Sequence, residues 1–188
     1  IKKRRIQFMN SMSRCYHEPC GKEIRREEKK CPTIVKCGCP STIQLPVLTT
    51  GTTSITIASI NLDTSCLCDP VVRLSFSAAF TSTVALTTGG VSLQVFKQCG
   101  NQLLPTPIGP SWPVVGALTT TTLTGAIYPS FNICDSDSCN NDCCTYTVVA
   151  TITGVAAATA GAAFNNASLS AIATCKNSCH KCRRDFDR

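Results

Sequence analysis

The sequence contains little of what most catalytic sites are built from. It has only two histidines, His17 and His180, and both lie in charged segments near the ends of the chain. It contains no glycine-rich phosphate-binding loop and no nucleophile-elbow motif. A nucleophilic Cys/His pair needs both groups in one folded site, and the central part of the chain has no histidine. We therefore expect a protein that is not an enzyme and has no cofactor and no small-molecule substrate.

Long apolar segments are also missing. No segment reaches the roughly 18 apolar residues that span a bilayer as a helix, and the basic residues 1–10 are not followed by an apolar stretch. We therefore expect no membrane partner and no secretory signal. The basic residues near the start are interleaved with glutamates and have no aromatic platform beside them, so we expect no nucleic-acid partner either.

Charge is scarce in the middle of the chain and concentrated at both ends. Residues 1–36 carry eleven Lys and Arg and four Glu, whereas residues 40–174 carry only Arg73 and Lys97 against five Asp. The last fourteen residues are basic again. This distribution predicts three parts: an N-terminal connector arm (1–41), a body (42–174) and a short cysteine-rich C-terminal tail (175–188).

Cysteine, by contrast, is abundant, with 15 in 188 residues. A domain of this length can bury a core without disulfides, so the cysteines exceed what folding requires. Their number is odd, so at least one thiol stays unpaired if every bridge is formed within the chain. A leftover cysteine indicates intermolecular pairing or a reactive thiol.

The body is rich in β-branched residues that alternate with polar ones, and it is interrupted by frequent turn signals. Val91, Leu93 and Val95 are predicted to face one side of a strand, as are Tyr146, Val148, Ala150 and Ile152. A slip in the alternation near Ala58 and Ser59, within a strand from Ser54 to Leu62, predicts a bulge. Further strands are predicted at Gln44–Thr49, Val71–Ala78, Thr81–Thr87, Val114–Thr120, Leu123–Ile127 and Ser168–Thr174. Breaks between strands are predicted at Asp69-Pro70, Gly89-Gly90, Pro105–Pro113, Tyr128-Pro129 and the polar run 134–144.

Many short alternating strands without a convincing long helix are typical of an antiparallel sandwich. The alanine-rich Val155–Ala163 has helical propensity, but its glycines and its position between strands favour a small-residue strand or hairpin. The predicted fold is therefore all-β, a jelly-roll-like antiparallel β-sandwich with an extended arm.

Metal binding is the alternative use for the cysteines. Cys175, Cys179 and Cys182 have the spacing of a three-cysteine iron–sulfur motif, but that motif belongs to α/β-barrel enzymes, which this sequence does not resemble. The Cys-x-Cys pairs lack the two-residue spacing that zinc knuckles favour, and on an extended strand they direct both thiols to the same face. We expect no metal site, with a metal or redox protein that uses the C-terminal cysteines as the alternative.

Crosslinking between copies accounts for the arm, the strands and the cysteines together. An exposed sheet edge can accept an extended segment of another chain, and a head-to-tail contact that does not close propagates into a homopolymer. The predicted inter-subunit donors are Cys31, Cys37 and Cys39. The predicted acceptors or intra-subunit bridges are Cys66, Cys68, Cys99, Cys134, Cys139, Cys143 and Cys144. The tail cysteines are Cys15, Cys20, Cys175, Cys179 and Cys182.

Four segments resemble an uncharacterised clostridial family that is similar in plan to endospore appendage (Ena) subunits. They are Lys36–Pro40 (KCGCP), Gly51–Cys68 (GTTSITIASINLDTSCLC), Val95–Cys99 (VFKQC) and Cys139–Val149 (CNNDCCTYTVV). The resemblance implies a jelly-roll subunit, a connector that reaches into neighbouring subunits, and covalent fibres on the spore surface. It also implies an extracellular protein without a secretion signal, because spore-surface proteins are made in the mother cell. The long charged arm before Cys31 and the Cys175–Cys182 tail depart from that plan, and a spore-coat or exosporium lattice is the alternative assembly.

Overall fold

The computed structural model describes residues 32–46, 51–65, 67, 69–82, 89–100, 102–115, 126–136, 143–154 and 161–176. Within these residues the chain forms ten β-strands and no helix, and hence no helix that could span a membrane. The strands are β1 (Ile34–Cys37), β2 (Ser41–Gln44), β3 (Thr52–Asp63), β4 (Pro70–Thr81), β5 (Gly89–Cys99), β6 (Thr106–Val115), β7 (Ala126–Ile127), β8 (Ser130–Asp135), β9 (Cys143–Gly154) and β10 (Ala163–Cys175).

The strands form two antiparallel sheets that pack face to face. Sheet A has the order β1-β10-β4-β7, with β2 beside β10 and β8 beside β4, and sheet B has the order β3-β9-β5-β6. The short strands β1 and β2 share one edge of sheet A, and β7 and β8 share the other. Each sheet therefore has four strand positions, and the chain passes repeatedly from one sheet to the other. This arrangement confirms the predicted jelly-roll-like sandwich.

Alternating side chains of both sheets form the core. In β4 the buried positions alternate along the strand and include Val72, Leu74 and Phe76, as expected for a strand with one face toward the opposite sheet. The predicted inward faces of β5 and β9 are confirmed, because all seven residues named for them are at most 3% exposed. On the sheet B side, Trp112 stacks on Phe131 of β8, with ring centroids 4.0 Å apart.

Register shifts interrupt the pairing of β3 and of β10. In β3 the register shifts between Thr56 and Ala58, which confirms the predicted irregularity within one or two residues. In β10 it shifts between Asn165 and Ser168, where Asn166 has a φ of 53°. Asparagine adopts this left-handed conformation more readily than most residues, so the bulge falls where the sequence tolerates it.

The proline-rich segment Pro105–Pro113 was expected to break the chain between strands, and this prediction is wrong. Thr106–Val115 form β6, which lies at the edge of sheet B and pairs only with β5. Prolines are tolerated on edge strands because they lack only the outward-facing N–H, and two register shifts in the β5–β6 pairing accompany them. The pair Gly89-Gly90 is likewise part of β5 rather than a break.

The polar run 134–144 was expected to be a loop, but its ends are strands. Cys134 and Asp135 complete β8, which the sequence pattern did not predict, and Cys143 begins β9. Asp135 is also buried, at 5% exposure, so the break predicted over 134–144 is wrong at this residue.

Other predicted boundaries shift at prolines or fall beyond the described residues. Of the strand predicted at Gln44–Thr49, Gln44 is the last residue of β2, Leu45 and Pro46 are not in a strand, and residues 47–49 lie outside the described residues. Pro46 cannot donate to a ladder. A strand was predicted to begin at Thr81, but Thr81 is the last residue of β4 and Ser82 is not in a strand. Most of the strands predicted at 81–87, 114–120 and 123–127, and residues 155–160 of the alanine-rich segment, lie outside the described residues.

Part of the predicted arm belongs to the sandwich of its own chain. Ile34–Cys37 pair with Ser170–Ala173 of β10, and Ser41–Gln44 pair with the first residues of the same strand. Ile34–Cys37 of the predicted connector arm are therefore part of the sandwich in this chain. Residues 1–31 and 177–188 lie outside the described part of the chain.

Candidate assembly surface

The outward side of sheet A carries a small surface built from two neighbouring cross-strand rows. One row is Val35–Ile172–Arg73–Cys134 and the other is Cys37–Ser170–Ser75–Asn132. These eight residues are called the outer face of sheet A below. They point away from the core because their strand neighbours, such as Leu169, Ala171 and Asp135, are buried, and successive side chains of a strand point to opposite sides.

Apolar side chains are exposed on this face and at one end of the sandwich. Val35 and its cross-strand partner Ile172 are 66% and 45% exposed. Leu103 and Leu104, in the connection between β5 and β6, are 96% and 76% exposed. Adjacent exposed apolar side chains favour contact with another protein surface.

Four cysteines among the described residues are both free and exposed: Cys37, Cys39, Cys134 and Cys143. Cys37 lies on β1 at one edge of sheet A, and Cys134 lies on β8 at the other edge, three strand positions away. At about 4.8 Å per strand their Cα atoms are at least about 14 Å apart, whereas a disulfide needs Cα atoms within about 7 Å. These two thiols therefore cannot pair within one chain.

A close backbone contact holds the Cys37-Gly38-Cys39 segment against β10. The Gly38 amide donates a hydrogen bond of 2.8 Å to the carbonyl oxygen of Leu169. A Cβ at position 38 would lie only 2.7 Å from that oxygen. Glycine is therefore the residue that lets the chain approach β10 here, and it fixes the positions of the two flanking thiols.

Cys143 lies on the opposite side of the molecule. It begins β9 in register with Asp63 of β3, and its neighbour Cys144 is buried at 4% exposure. The Cys143 side chain therefore points outward from sheet B, just as Cys134 points outward from sheet A. The two thiols face away from each other across the sandwich.

Cys99 and Cys144 form a disulfide across the paired strands β5 and β9, with Cα atoms 4.0 Å apart. Sequence reasoning left their role open between acceptor and intra-subunit bridge, and the structure places the bridge within the chain. Cys175, assigned to the tail, is the last residue of β10 and is also disulfide-bonded. The remaining predicted cysteines, Cys15, Cys20, Cys31, Cys66, Cys68, Cys139, Cys179 and Cys182, lie outside the described residues.

Five of the seven described cysteines lie near one end of the sandwich. Cys99, Cys134, Cys143, Cys144 and Cys175 are all at or next to the strand termini that meet there. The described strand termini at the opposite end, such as Thr52, Thr81 and Ala163, have no cysteine beside them. The two ends of the subunit therefore differ, because the described cysteines concentrate at one of them.

A buried polar cluster, which sequence reasoning did not identify, lies near the cysteine-rich end. The Lys97 Nζ of β5 is 2.6 Å from the Asp135 Oδ2 of β8, and both side chains are less than 10% exposed. The Tyr146 hydroxyl of β9 donates a hydrogen bond of 2.8 Å to the same oxygen. Burial, together with the negative charge of Asp135 and this hydrogen bond, raises the pKa of Tyr146 far above its ordinary value.

One sequence signal could have indicated this cluster. Lys97 continues the inward positions Val91, Leu93 and Val95 of β5, so strict alternation places its side chain in the core. A buried lysine needs an anionic partner, and the body holds only five aspartates. Within the described residues no group of three His, Cys, Asp or Glu is arranged to hold a metal ion.

A protein-family model described as a domain of unknown function, DUF4489, matches residues 31–174. No curated protein matches the sequence. Solved structures of infectious bursal disease virus match at low similarity. A structure of the Gt strain is 14% identical, with a TM-score of 0.48, over 82% of this chain and 36% of the viral chain. The VP2 subviral particle of the same virus is 13% identical, with a TM-score of 0.46, over 85% of this chain and 36% of the viral chain. The chain thus spans about a third of these viral chains, and the match is too weak to indicate a shared function.

Proposed function

This chain belongs to the DUF4489 family, and from the geometry of its thiols we propose that it is a structural subunit that joins copies of itself through disulfides. The observation that carries the proposal is the placement of Cys37 and Cys134 on opposite edges of sheet A, both free and exposed. Oxidation of either thiol to a disulfide with the other requires a second copy.

Two separated attachment points on one subunit allow a polymer to form. When the two edges of one copy bond to two different copies, the contact is heterologous, and such contacts propagate unless a rotation closes them. The additional exposed thiols Cys39 and Cys143 allow each copy to contact more than two others. The polymer is then held by covalent bonds, and its dissociation becomes a chemical step.

Exposed strand edges supply the non-covalent part of the contact. β1 and β8 are the last strands on either side of the described part of sheet A, and edge strands present unpaired N–H and C=O groups to another chain. The exposed Val35 and Ile172 lie at the β1 edge on the outer face of sheet A. An extended segment of a neighbouring copy could pair there before its cysteines oxidise.

In this proposal Cys31, Cys37 and Cys39 are the inter-subunit donors, and the exposed Cys134 and Cys143 are acceptors. The resemblance to endospore appendage subunits favours a head-to-tail fibre on the outside of the spore. Residues 1–31 then extend the connection into neighbouring subunits. The protein has no enzymatic role in this scheme, because its cysteines serve as crosslinks.

Mixed isotope labelling tests the proposal directly. Equal amounts of unlabelled and nitrogen-15-labelled full-length protein are reduced, mixed, reoxidised and digested without reduction. Half of the disulfide-linked peptides that join copies at random then contain one labelled and one unlabelled partner, whereas bridges within a chain never do. We expect mixed-label peptides that contain Cys37 or Cys39, and unmixed peptides for Cys99–Cys144. Only unmixed peptides, together with a monomer band on a denaturing gel without reductant, would refute the proposal.

A variant pair separates crosslinking from folding. The double variant Cys37→Ser/Cys39→Ser should lose most of the high-molecular-weight material on a non-reducing gel while the β-sheet spectrum stays unchanged. Ser170→Ala, on the same face and opposite Cys37 in β10, keeps every thiol and should polymerise like the wild type. Electron microscopy of the oxidised wild type then distinguishes fibres from a flat lattice.

A further inference from the structure

The Lys97–Asp135 contact has the geometry of a reaction site as well as that of an ion pair. Nζ and Oδ2 are 2.6 Å apart, so the Asp135 Cγ to which Oδ2 is bonded lies within reach of the amine nitrogen. The two residues come from opposite sheets, β5 of sheet B and β8 of sheet A. Tyr146 lies beside Lys97 in register, and Val72 lies beside Asp135.

We propose that Lys97 and Asp135 condense to form an isopeptide bond that joins the two sheets covalently. The bond is an amide between the lysine Nζ and the aspartate Cγ. The inference rests on the buried contact and does not depend on the assembly proposed above.

A proton transfer within the contact precedes the reaction. An ammonium and a carboxylate do not react with each other, but one proton transferred across the contact gives a neutral amine and a carboxylic acid. Held side by side, the two groups also react as one molecule, with effective concentrations that reach about 10⁵–10⁸ M in well-oriented systems.

The condensation balances without an added reagent. The neutral amine attacks Cγ, and the Nζ–Cγ bond forms while the double bond to oxygen opens to a tetrahedral centre. The nitrogen then loses a proton to the departing oxygen, the Cγ–O bond breaks, and one water molecule leaves. The net change is an ammonium and a carboxylate converted to an amide and water, with no oxidation or reduction.

Tyr146 is placed to assist this step. Its hydroxyl donates to Asp135 Oδ2, the atom that gains negative charge or leaves when Cγ is attacked. Preorganised donors of this kind stabilise the charge that develops on oxygen. Since the pKa of Tyr146 is raised, the phenol keeps its proton and remains a donor.

The two sheets would then be joined by a bond that reductants do not cleave. The Cys99–Cys144 disulfide joins β5 to β9 within sheet B, whereas the isopeptide bond joins β5 to β8 of sheet A. The core is closed to solvent, so the water released by the condensation does not return readily and the amide is hydrolysed slowly.

Mass spectrometry of the full chain tests the proposal. After complete reduction and alkylation of cysteines, we expect the intact mass to be one water molecule below that of the linear sequence. A digest should contain a branched peptide in which the segments around Lys97 and Asp135 are joined, identified by fragmentation. Recovery of both segments only as separate linear peptides from folded wild-type protein would overturn the proposal, and this outcome does not depend on any variant.

Variants assign the chemistry. The Lys97→Met variant should have the full mass of its own linear sequence. This result would also exclude water loss at another aspartate as the source of the mass difference. Asp135→Asn should still give the same branched product, because an amide can release ammonia in place of water. Tyr146→Phe should form the bond about 100-fold more slowly if the hydroxyl stabilises the reacting oxygen, and an unchanged rate would remove Tyr146 from the mechanism.

Discussion

Cys37 and Cys134 face the same side of sheet A from strands that form its two opposite edges. Their cross-strand rows are adjacent: Cys37 shares a row with Asn132, and Cys134 follows two residues later on the same strand. A neighbouring copy can therefore add its backbone to a sheet edge and find a free thiol at the same place. Each edge of the sheet thus carries both a free thiol that can form a covalent link and backbone groups that can form hydrogen bonds.

Gly38→Ala should weaken crosslinking although it removes no thiol. The added Cβ would collide with the Leu169 carbonyl oxygen, so the Cys37–Cys39 segment must move away from β10. We expect a loss of about 1–3 kcal/mol in the free energy of unfolding and fewer crosslinks on a non-reducing gel. Gly100→Ala is the control, because a Cβ there meets nothing within 4 Å. Equal crosslinking by the two variants would show that the position of the segment is unimportant.

Removal of the Cys99–Cys144 bridge should destabilise the fold without reducing polymerisation. The bridge spans 45 residues of sequence, and closing a loop of that length contributes about 2–4 kcal/mol. Cys99→Ala/Cys144→Ala should therefore lower the free energy of unfolding by that amount in urea denaturation of monomers with blocked surface thiols. The exposed Cys134→Ala should change it by less than about 0.5 kcal/mol. If the double variant loses its crosslinks while it stays folded, the bridge has an inter-subunit role.

Stability should decline at alkaline pH through Tyr146. The folded-state pKa of Tyr146 is raised, whereas the unfolded chain has the ordinary value of about 10. Below that pH both states keep the proton, and above it the unfolded state loses the proton first, so the folded state loses stability by up to about 1.4 kcal/mol per pH unit. Urea denaturation between pH 9 and 11 should show a shallower decline for Tyr146→Phe than for wild type.

The exposed Tyr128, at 74% exposure, provides the matched control for that measurement. Tyr128→Phe should decline with pH as the wild type does. Parallel pH curves for wild type and Tyr146→Phe would contradict the assignment of this dependence to the buried phenol.

Gly109→Ala should disturb the contact between β6 and β8. Gly109 has a φ of 67°, and a Cβ there would overlap Ile133 of β8 and lie 3.4 Å from the Trp112 ring. We expect a loss of about 1–3 kcal/mol and a changed emission of Trp112, the only tryptophan in the chain. Gly51→Ala is the control that separates backbone strain from steric overlap, because Gly51 also has a positive φ but open space around it. An unchanged emission in Gly109→Ala would contradict this packing.

The alternation of apolar residues was sufficient to predict the sandwich and its inward faces. Val91, Leu93 and Val95 are buried as predicted, because alternation is a local property of a strand that one face of a sheet imposes. The proline-rich β6 was missed because a proline is compatible with a strand only at a sheet edge, and which strand lies at an edge depends on the topology.

The buried cluster was missed for a related reason. Asp135 is surrounded in sequence by turn-forming residues, and Lys97 is 38 residues away from it (135 minus 97). Their pairing depends on how the two sheets stack, which no local pattern contains. The free thiols were identified as crosslinking candidates, but their distribution over two opposite edges became clear only from the strand order.

Strand β10 pairs with β1 and β2 on one side and with β4 on the other. In a polymer linked through Cys37, a pull along β1 would reach the rest of the subunit mainly through its ladder to β10. Because that ladder runs along the direction of pull, its hydrogen bonds share the load together instead of opening one at a time. The subunit would thus resist stretching, because these hydrogen bonds must be sheared together, and β10 would carry most of the tension.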